Sequence, residues 1–564
     1  MPDDNNNPHL AGARQDASPL YCQSILMPLQ RAVPEKHDRL ILALLVLLAC
    51  AFRVYSLRYF PVISTDGTSY VGAAVALGRG ELGGIGTYGF YSVLIWVAGW
   101  FISDLELAGR AVSILFGSLL IVPLYLLGRG IFSRRAALCA SLLVVVWPPL
   151  VSSSCEVMAH ATYDFFQMSG IYLVWRMFRR STALSGILAG LCICLAYLTR
   201  PEGVLLFLLP PLPFLFYYRR QLFEKRTMLA SYVGGFSLLC ALNLLLVHHV
   251  TGEWQLSAKT DSALNDALSY YLKIPDLIYL PDYEPKGYLD ILRDHPMFIV
   301  TNSLKNLWLT ITTTLPVWLW GLVGIGFCSG GFRGERNVIR LFLLSALAPL
   351  AVIIVFYYIS SGYTEAYLSV LFLWGANGLC CLEGKLAEKV AGLKERRWHA
   401  SRLSLAAALA VLYALLVFSS QLRETTPDSA YVSKMDNCRR AEKFIGLALK
   451  ENLPPGKIMT RWARIAFYAE RAWVNIPAGV DLDSIVTHAR DNGASYLVAD
   501  CMLYGNRPAL GTEIFDPLAK DNMPYGKYFM TDPEWRIRGL KPVFLYTDPR
   551  DFGVVVYEIP QPQS

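Results

Sequence analysis

Between Leu40 and Ser420 the chain runs apolar again and again for close to a bilayer's thickness, and dense Lys/Arg clusters separate alternate runs. At about 1.5 Å per residue, roughly 20 apolar residues cross the hydrocarbon core. The first run, Leu40 to about Tyr59, follows Arg31, Lys36 and Arg39, so its N-terminal end is expected in the cytoplasm. A second run (about 105–128) ends at Arg129, Arg134 and Arg135, and a third (about 136–155) ends at uncharged Ser152–Ser154. The fourth (about 160–178) ends at Arg176, Arg179 and Arg180. A fifth and a short sixth flank Thr199-Arg200-Pro201-Glu202-Gly203, and the sixth ends at Arg219, Arg220, Lys225 and Arg226. Further runs fall at about 229–248, 309–328, 340–359, 367–383 and 403–420. Arg333, Arg336 and Arg340 separate the eighth from the ninth, and Lys385 to Arg402 separates the last two. All the dense clusters lie on the N-terminal side of the membrane by this reading. About eleven crossings (range 10–13) then put the C-terminus outside. Tyr88–Phe101 is short for a span and reads as an interfacial helix.

Composition agrees. The 564 residues are 54% hydrophobic and 17% charged, against about 25% charged in a soluble protein. A water-soluble enzyme, a disordered chain and a disulfide-stapled miniprotein are excluded. The net charge of +7 belongs to topogenic loops, so no nucleic-acid partner is expected. Twelve cysteines include no metal-binding spacing.

Three parts follow: a polar cytoplasmic tail at 1–38, without the apolar core of a signal peptide; a membrane domain at 39–420, with external loops at about 57–104 and 249–305; and an extracytoplasmic region at 421–564. In the last, Ala441–Glu451 and Asp481–Arg490 read as helices. Lys457–Thr460, Ser495–Ala499, Pro542–Thr547 and Gly553–Ile559 read as strands, giving a small α/β domain. Cys438 and Cys501 either bridge there or stay free.

Chemistry between the lipid phase and the outer compartment should use those external segments. Asp66, a few residues beyond the first span, is placed to take a proton from an alcohol, or else Thr65 or Asp66 simply caps the helix that follows. Glu156 and His160, four apart, would share one face if helical, as divalent-cation ligands, as an acceptor-binding pair, or as an interfacial helix start. Asp164 extends that stripe to a depth where a carboxylate is costly outside a polar cavity. Arg200 is either a phosphate ligand or a snorkelling arginine paired with Glu202. Arg110 and Lys259 are weaker candidates for the phosphate task.

Several strings, taken in order, resemble the GT-C superfamily, polytopic glycosyltransferases that use polyprenyl-phosphate-linked sugars. They are Asp66-x-x-x-Tyr70, Ala108-Gly109-Arg110-Ala111-Val112-Ser113, Gly128-Arg129-Gly130-Ile131-Phe132, Trp147-Pro148-Pro149-Leu150-Val151, Thr199-Arg200-Pro201-Glu202-Gly203 and Ala466-Phe467-Tyr468-Ala469-Glu470-Arg471. The resemblance is nearest to the bacterial relatives of protein O-mannosyltransferases and lipid A aminoarabinose transferases. It implies inverting transfer of a hexosyl or pentosyl group to a hydroxyl of a lipid, glycan or protein on the external face of the cytoplasmic membrane. The lipid-phosphate sugar is then a co-substrate, a divalent cation is the one further cofactor in view, and Asp66 matches the catalytic base. The chain departs from the family where Gly67 replaces Glu after the Asp, at Gly86–Tyr91, and at Ala366-Tyr367. Two other classes fit a polytopic chain: a transporter or flippase of lipid-linked sugars, and a non-catalytic envelope assembly protein. The first would call for paired halves and mid-membrane ionisable groups.

Overall fold

The computed structural model describes residues 36–254, 256, 260–274, 277–330, 334–357, 361–391, 412, 415, 434–500, 503, 540–548 and 552–560. Helices come first: α1 (Lys36–Ser56), α2 (Thr65–Gly78), α3 (Gly83–Ala98), α4 (Leu105–Leu119), α5 (Ile121–Ile131), α6 (Arg134–Val146), α7 (Pro148–Cys155), α8 (His160–Arg180) and α9 (Ala183–Thr199). They continue with α10 (Leu205–Leu208), α11 (Pro211–Tyr217), α12 (Arg226–Thr251), α13 (Thr260–Leu272), α14 (Tyr288–Asp294), α15 (Pro296–Thr313), α16 (Val317–Cys328), α17 (Glu335–Ser345), α18 (Ala348–Phe356) and α19 (Ser361–Ala391). Among the described residues five helices are long and apolar enough to cross a membrane, or up to seven when each of two bent pairs counts as one span. The protein is an integral membrane protein. Of the expected eleventh run, only residues 412 and 415 are among those described.

Short polar side chains start the helices. Ser64, Asp104, Ser133 and Thr182 each accept a backbone N–H from the first turn of α2, α4, α6 and α9. Prolines bend two spans. Trp147 is extended before Pro148, and α6 meets α7 at 53°. The eighth run is expected at about 309–328, after a loop reaching 305. Instead α15 starts at Pro296, where a missing N–H costs nothing, and the chain turns 96° into α16 around Pro316. Asn302 and Asn306 of α15 donate to the carbonyls of Val355, Ile354 and Tyr357, satisfying acceptors left over at the end of α18.

Glycines let the spans touch. A Cβ on Gly190 would lie 2.2 Å from the Tyr232 carbonyl oxygen of α12, and one on Gly326 would lie 1.9 Å from that of Trp374 in α19. Gly89 bends α3 at φ 65°, ψ −162°, a conformation essentially confined to glycine, and a Cβ there would meet the Leu198 carbonyl at 2.4 Å. At the opposite end of the bundle, buried Asp38 accepts from Arg129 (2.6 Å), Arg134 (2.7 Å) and the Tyr125 hydroxyl (3.0 Å). Part of the arginine cluster read as topogenic is thus also a structural clamp.

The C-terminal region carries α20 (Lys434–Asn452), α21 (Ala463–Tyr468) and α22 (Leu482–Asp491) around a five-stranded sheet. Its strands are β1 (Lys457–Met459), β2 (Trp473–Val474), β3 (Ala494–Asp500), β4 (Lys541–Asp548) and β5 (Phe552–Glu558), in the order β2-β1-β3-β5-β4. The pairs β1–β2 and β1–β3 are parallel, while β3–β5 and β4–β5 are antiparallel. Leu497, Val498 and Ala499 of β3 are buried together with Val554–Tyr557 and with Ile445, Leu449, Leu482 and Ile485 from the helices. Of the two cysteines that either bridge or stay free, Cys438 falls in α20 and Cys501 lies outside the described residues.

Candidate active site

A second apolar cluster underlies the loop that follows α1. Ile63, Tyr70, Val71, Tyr91, Ile95, Val112 and Val157 are buried with Tyr468 of the C-terminal region. Above it, Ser64 turns extended (φ −68°, ψ 160°) and its hydroxyl accepts the Gly67 N–H. Ser64 is therefore the cap of α2, in place of the expected Thr65 or Asp66. It wins because it alone combines extended backbone with a hydroxyl in reach of the third helical N–H. Asp66 stands exposed in the first helical turn, a favourable place for a carboxylate. Gly67, where the family pattern has Glu, has a physical reason. A Cβ there would lie 2.7 Å from Ile63 Cγ1 and 2.9 Å from the Val157 carbonyl oxygen.

One turn further, Tyr70 is buried edge-on against Tyr91, with centroids 5.1 Å apart. The Tyr91 hydroxyl in turn donates to the Gly109 carbonyl at 2.9 Å. Arg110 is drawn inward. It donates to the carbonyls of Phe60 and, at 3.2 Å, Cys155, and pairs with Glu106 at 2.7 Å. In this arrangement it fastens the start of the Asp66 loop to the end of α7.

Glu156 and His160 do not share a helical face. Glu156 is extended (φ −94°, ψ 158°) after α7, and α8 begins only at His160. The carbonyls between them are taken by side chains: Ser64 donates to Val157 at 3.3 Å and Ser113 donates to Met158 at 3.2 Å. The 156–160 turn consequently abuts the Asp66 loop. On its other flank, Arg200 donates to His160 Nδ1 at 2.8 Å, which puts the imidazole proton on Nε2. Arg200 also pairs with Glu202 at 2.6 Å, and its guanidinium lies 5.2 Å from the Tyr163 ring and 4.9 Å from that of Tyr363. It is 6% exposed, so this is a buried ion pair with aromatic walls and not a snorkelling side chain. Asp164 and Glu365, both buried, lie within electrostatic reach of the same guanidinium.

No three His, Cys, Asp or Glu side chains converge as a metal-ligand set among the described residues. His160 Nδ1, one of the cation ligands in view, instead faces the Arg200 cation. Lys259 lies outside the described residues.

Three residues of the C-terminal region reach this loop, and a fourth holds one of them, without having been expected there. Lys443 donates to the Pro61 carbonyl at 2.8 Å, the Tyr468 hydroxyl accepts the Ile63 N–H at 2.8 Å, and Arg464 donates to Thr65 Oγ1 at 2.5 Å. Arg464 is held by an ion pair with buried Glu442. Tyr468 belongs to the quoted Ala466–Arg471 string; the other three carry no local signal.

The profile of the family described as dolichyl-phosphate-mannose-protein mannosyltransferase matches residues 85–271, a stretch holding Arg110, Glu156, His160 and Arg200 but not Asp66. No curated protein sequence matches the chain. Among solved structures, the oligosaccharyltransferase AglB of Archaeoglobus fulgidus, in complex with an inhibitory peptide and a dolichol-phosphate, superposes with a TM-score of 0.51. It is 17% identical, over 93% of this chain and 75% of that one. ArnT of Cupriavidus metallidurans, bound to undecaprenyl phosphate, gives a TM-score of 0.51 at 14% identity, over 91% of this chain and 97% of that one. The fold is that of the GT-C glycosyltransferases. The GT-C likeness thus extends over both the helical domain and the C-terminal region.

Proposed function

We propose that the chain is an inverting glycosyltransferase. It moves a hexosyl or pentosyl group from a polyprenyl-phosphate donor to a hydroxyl of a lipid, glycan or protein acceptor. The observation that carries the reading is Asp66: an exposed carboxylate, relieved of capping by Ser64, on a loop seated against the turn that bears Glu156 and His160. Asp66 takes the proton of the acceptor hydroxyl as its oxygen attacks the anomeric carbon from the side opposite the phosphate. The carbon–oxygen bond to the phosphate breaks, and the polyprenyl phosphate departs. Arg200, oriented by Glu202 and His160, offsets the charge that develops on the leaving group. Lys259 is a second candidate for that task. Lipid phosphates bound to AglB and ArnT support the donor class.

The arginine and lysine clusters support an N-terminus in the cytoplasm and a C-terminal region outside, in the cytoplasmic membrane. The test is Asp66→Asn, expressed in a strain lacking the chromosomal copy. Mass spectrometry of envelope lipids and glycoproteins should show the product lost while the protein still inserts. Product at the wild-type level would remove Asp66 from the chemistry.

A further inference from the structure

Three contacts from the C-terminal region fall within five residues, Pro61 to Thr65, and the last ends one residue before Asp66. They join positions 382 to 405 residues apart, so the loop's conformation depends on a part of the chain made long after it. Lys443 reaches over from the surface, but the other two partners are buried. Arg464 is 5% exposed and Glu442 is 2% exposed; an ion pair at that depth is costly to desolvate, and here it fixes the fork that donates to Thr65. Tyr468 is 7% exposed. Burial pushes its phenol up, Glu106 adds to the effect, and the oxygen facing the Ile63 N–H stays a neutral acceptor. Glu106 is also the partner of Arg110, which holds Phe60 and Cys155. Both ends of the 60–66 segment are therefore anchored, one by the helical domain and one by the C-terminal region.

We propose that Arg464 and Tyr468 are positioning residues for Asp66, so that the C-terminal region completes the catalytic site instead of merely covering it. The inference rests on the reading of Asp66 as the base. A base must sit within hydrogen-bond reach of the hydroxyl it deprotonates, and a displacement of about 1 Å can cost about a hundredfold in rate. Asp66 lies three residues beyond Ile63, which is fully buried, and two beyond Ser64, which caps α2, so a shift of this short stretch would carry it along. Tyr468 holds the Ile63 N–H and Arg464 holds the first helical residue, which opposes that shift.

The test uses the intact chain with Thr65→Val, Tyr468→Phe and the conservative Thr65→Ser, alongside Asp66→Asn. Amide hydrogen exchange is followed by mass spectrometry, product formation is measured as above, and binding is measured with undecaprenyl phosphate as the probe. Thr65→Val and Tyr468→Phe should speed exchange across 60–68 and leave β3 and β5 protected. They should also slow transfer about tenfold or more. Affinity for the probe should hold within about threefold, and Thr65→Ser should restore both exchange and rate. A 60–68 segment as protected as in wild type, or wild-type transfer despite faster exchange, would overturn the clamp. Loosening that spreads to β3 and β5 would also overturn it, by making the contacts a matter of general stability. An active Asp66→Asn would instead sink the base assignment and the clamp's purpose with it, and that outcome is read separately from the exchange data.

Discussion

Two buried arginine–glutamate pairs border the site. Arg200–Glu202 belongs to the helical domain and Arg464–Glu442 to the C-terminal region, and all four side chains are less than a tenth exposed. They differ in the third partner. Arg200 meets a histidine ring nitrogen and two tyrosine faces, groups suited to surrounding a ligand. Arg464 spends its other nitrogen on Thr65, the residue before the proposed base. The same chemical device thus has two sets of neighbours: in the proposed reading one pair serves the donor phosphate, while the other holds the loop.

That contrast can be broken experimentally. The largest effect belongs to neither pair. Asp66→Asn should lower transfer by about a hundredfold to ten-thousandfold with no change in the melting temperature of the purified protein. Next, Arg200→Met should strand Glu202 and destabilise the protein by about 3–5 kcal/mol, as Arg464→Met should by stranding Glu442. Adding Glu202→Gln or Glu442→Gln should recover most of the melting temperature in each case. Binding of undecaprenyl phosphate, measured by titration, should remain weakened in the first double variant and normal in the second. Equal binding in both would erase the distinction. The smallest effect is a control. Lys450 and Glu470 form a third pair in the same region, 44% and 70% exposed, and Lys450→Ala should cost less than about 1 kcal/mol by thermal denaturation.

Five to seven of the expected spans stand among the described residues, and these were legible because lipid demands long apolar runs, whatever the fold. Their bends were less so. Pro316 announces a break, but its 96° turn depends on how α15 and α16 pack. In the C-terminal region, β3 and β4 contain the expected stretches and β5 overlaps the third as far as Glu558, since a sheet buried by helices leaves alternation or apolar runs in the sequence. At the site, Asp66 and Arg200 could be singled out as charges beside apolar helices. Glu156 and His160 could be named but not arranged, because the turn between them is set by Ser64 and Ser113, residues distant in sequence. Arg464 and Glu442 were invisible for a plainer reason: a buried ion pair in a soluble-looking segment reads as two ordinary surface charges until a tertiary contact desolvates them.

The bend at Gly89 has a consequence for how such a chain can drift. Any other residue there must leave a conformation it can barely adopt and must strike the Leu198 carbonyl, two positions before Arg200. A library saturated at position 89 should return glycine almost alone. At Gly72 and Gly234, where a Cβ meets nothing within 4 Å, many residues should pass. Variation at position 89 is then limited by the backbone of α9, which no compensating side-chain change can relieve.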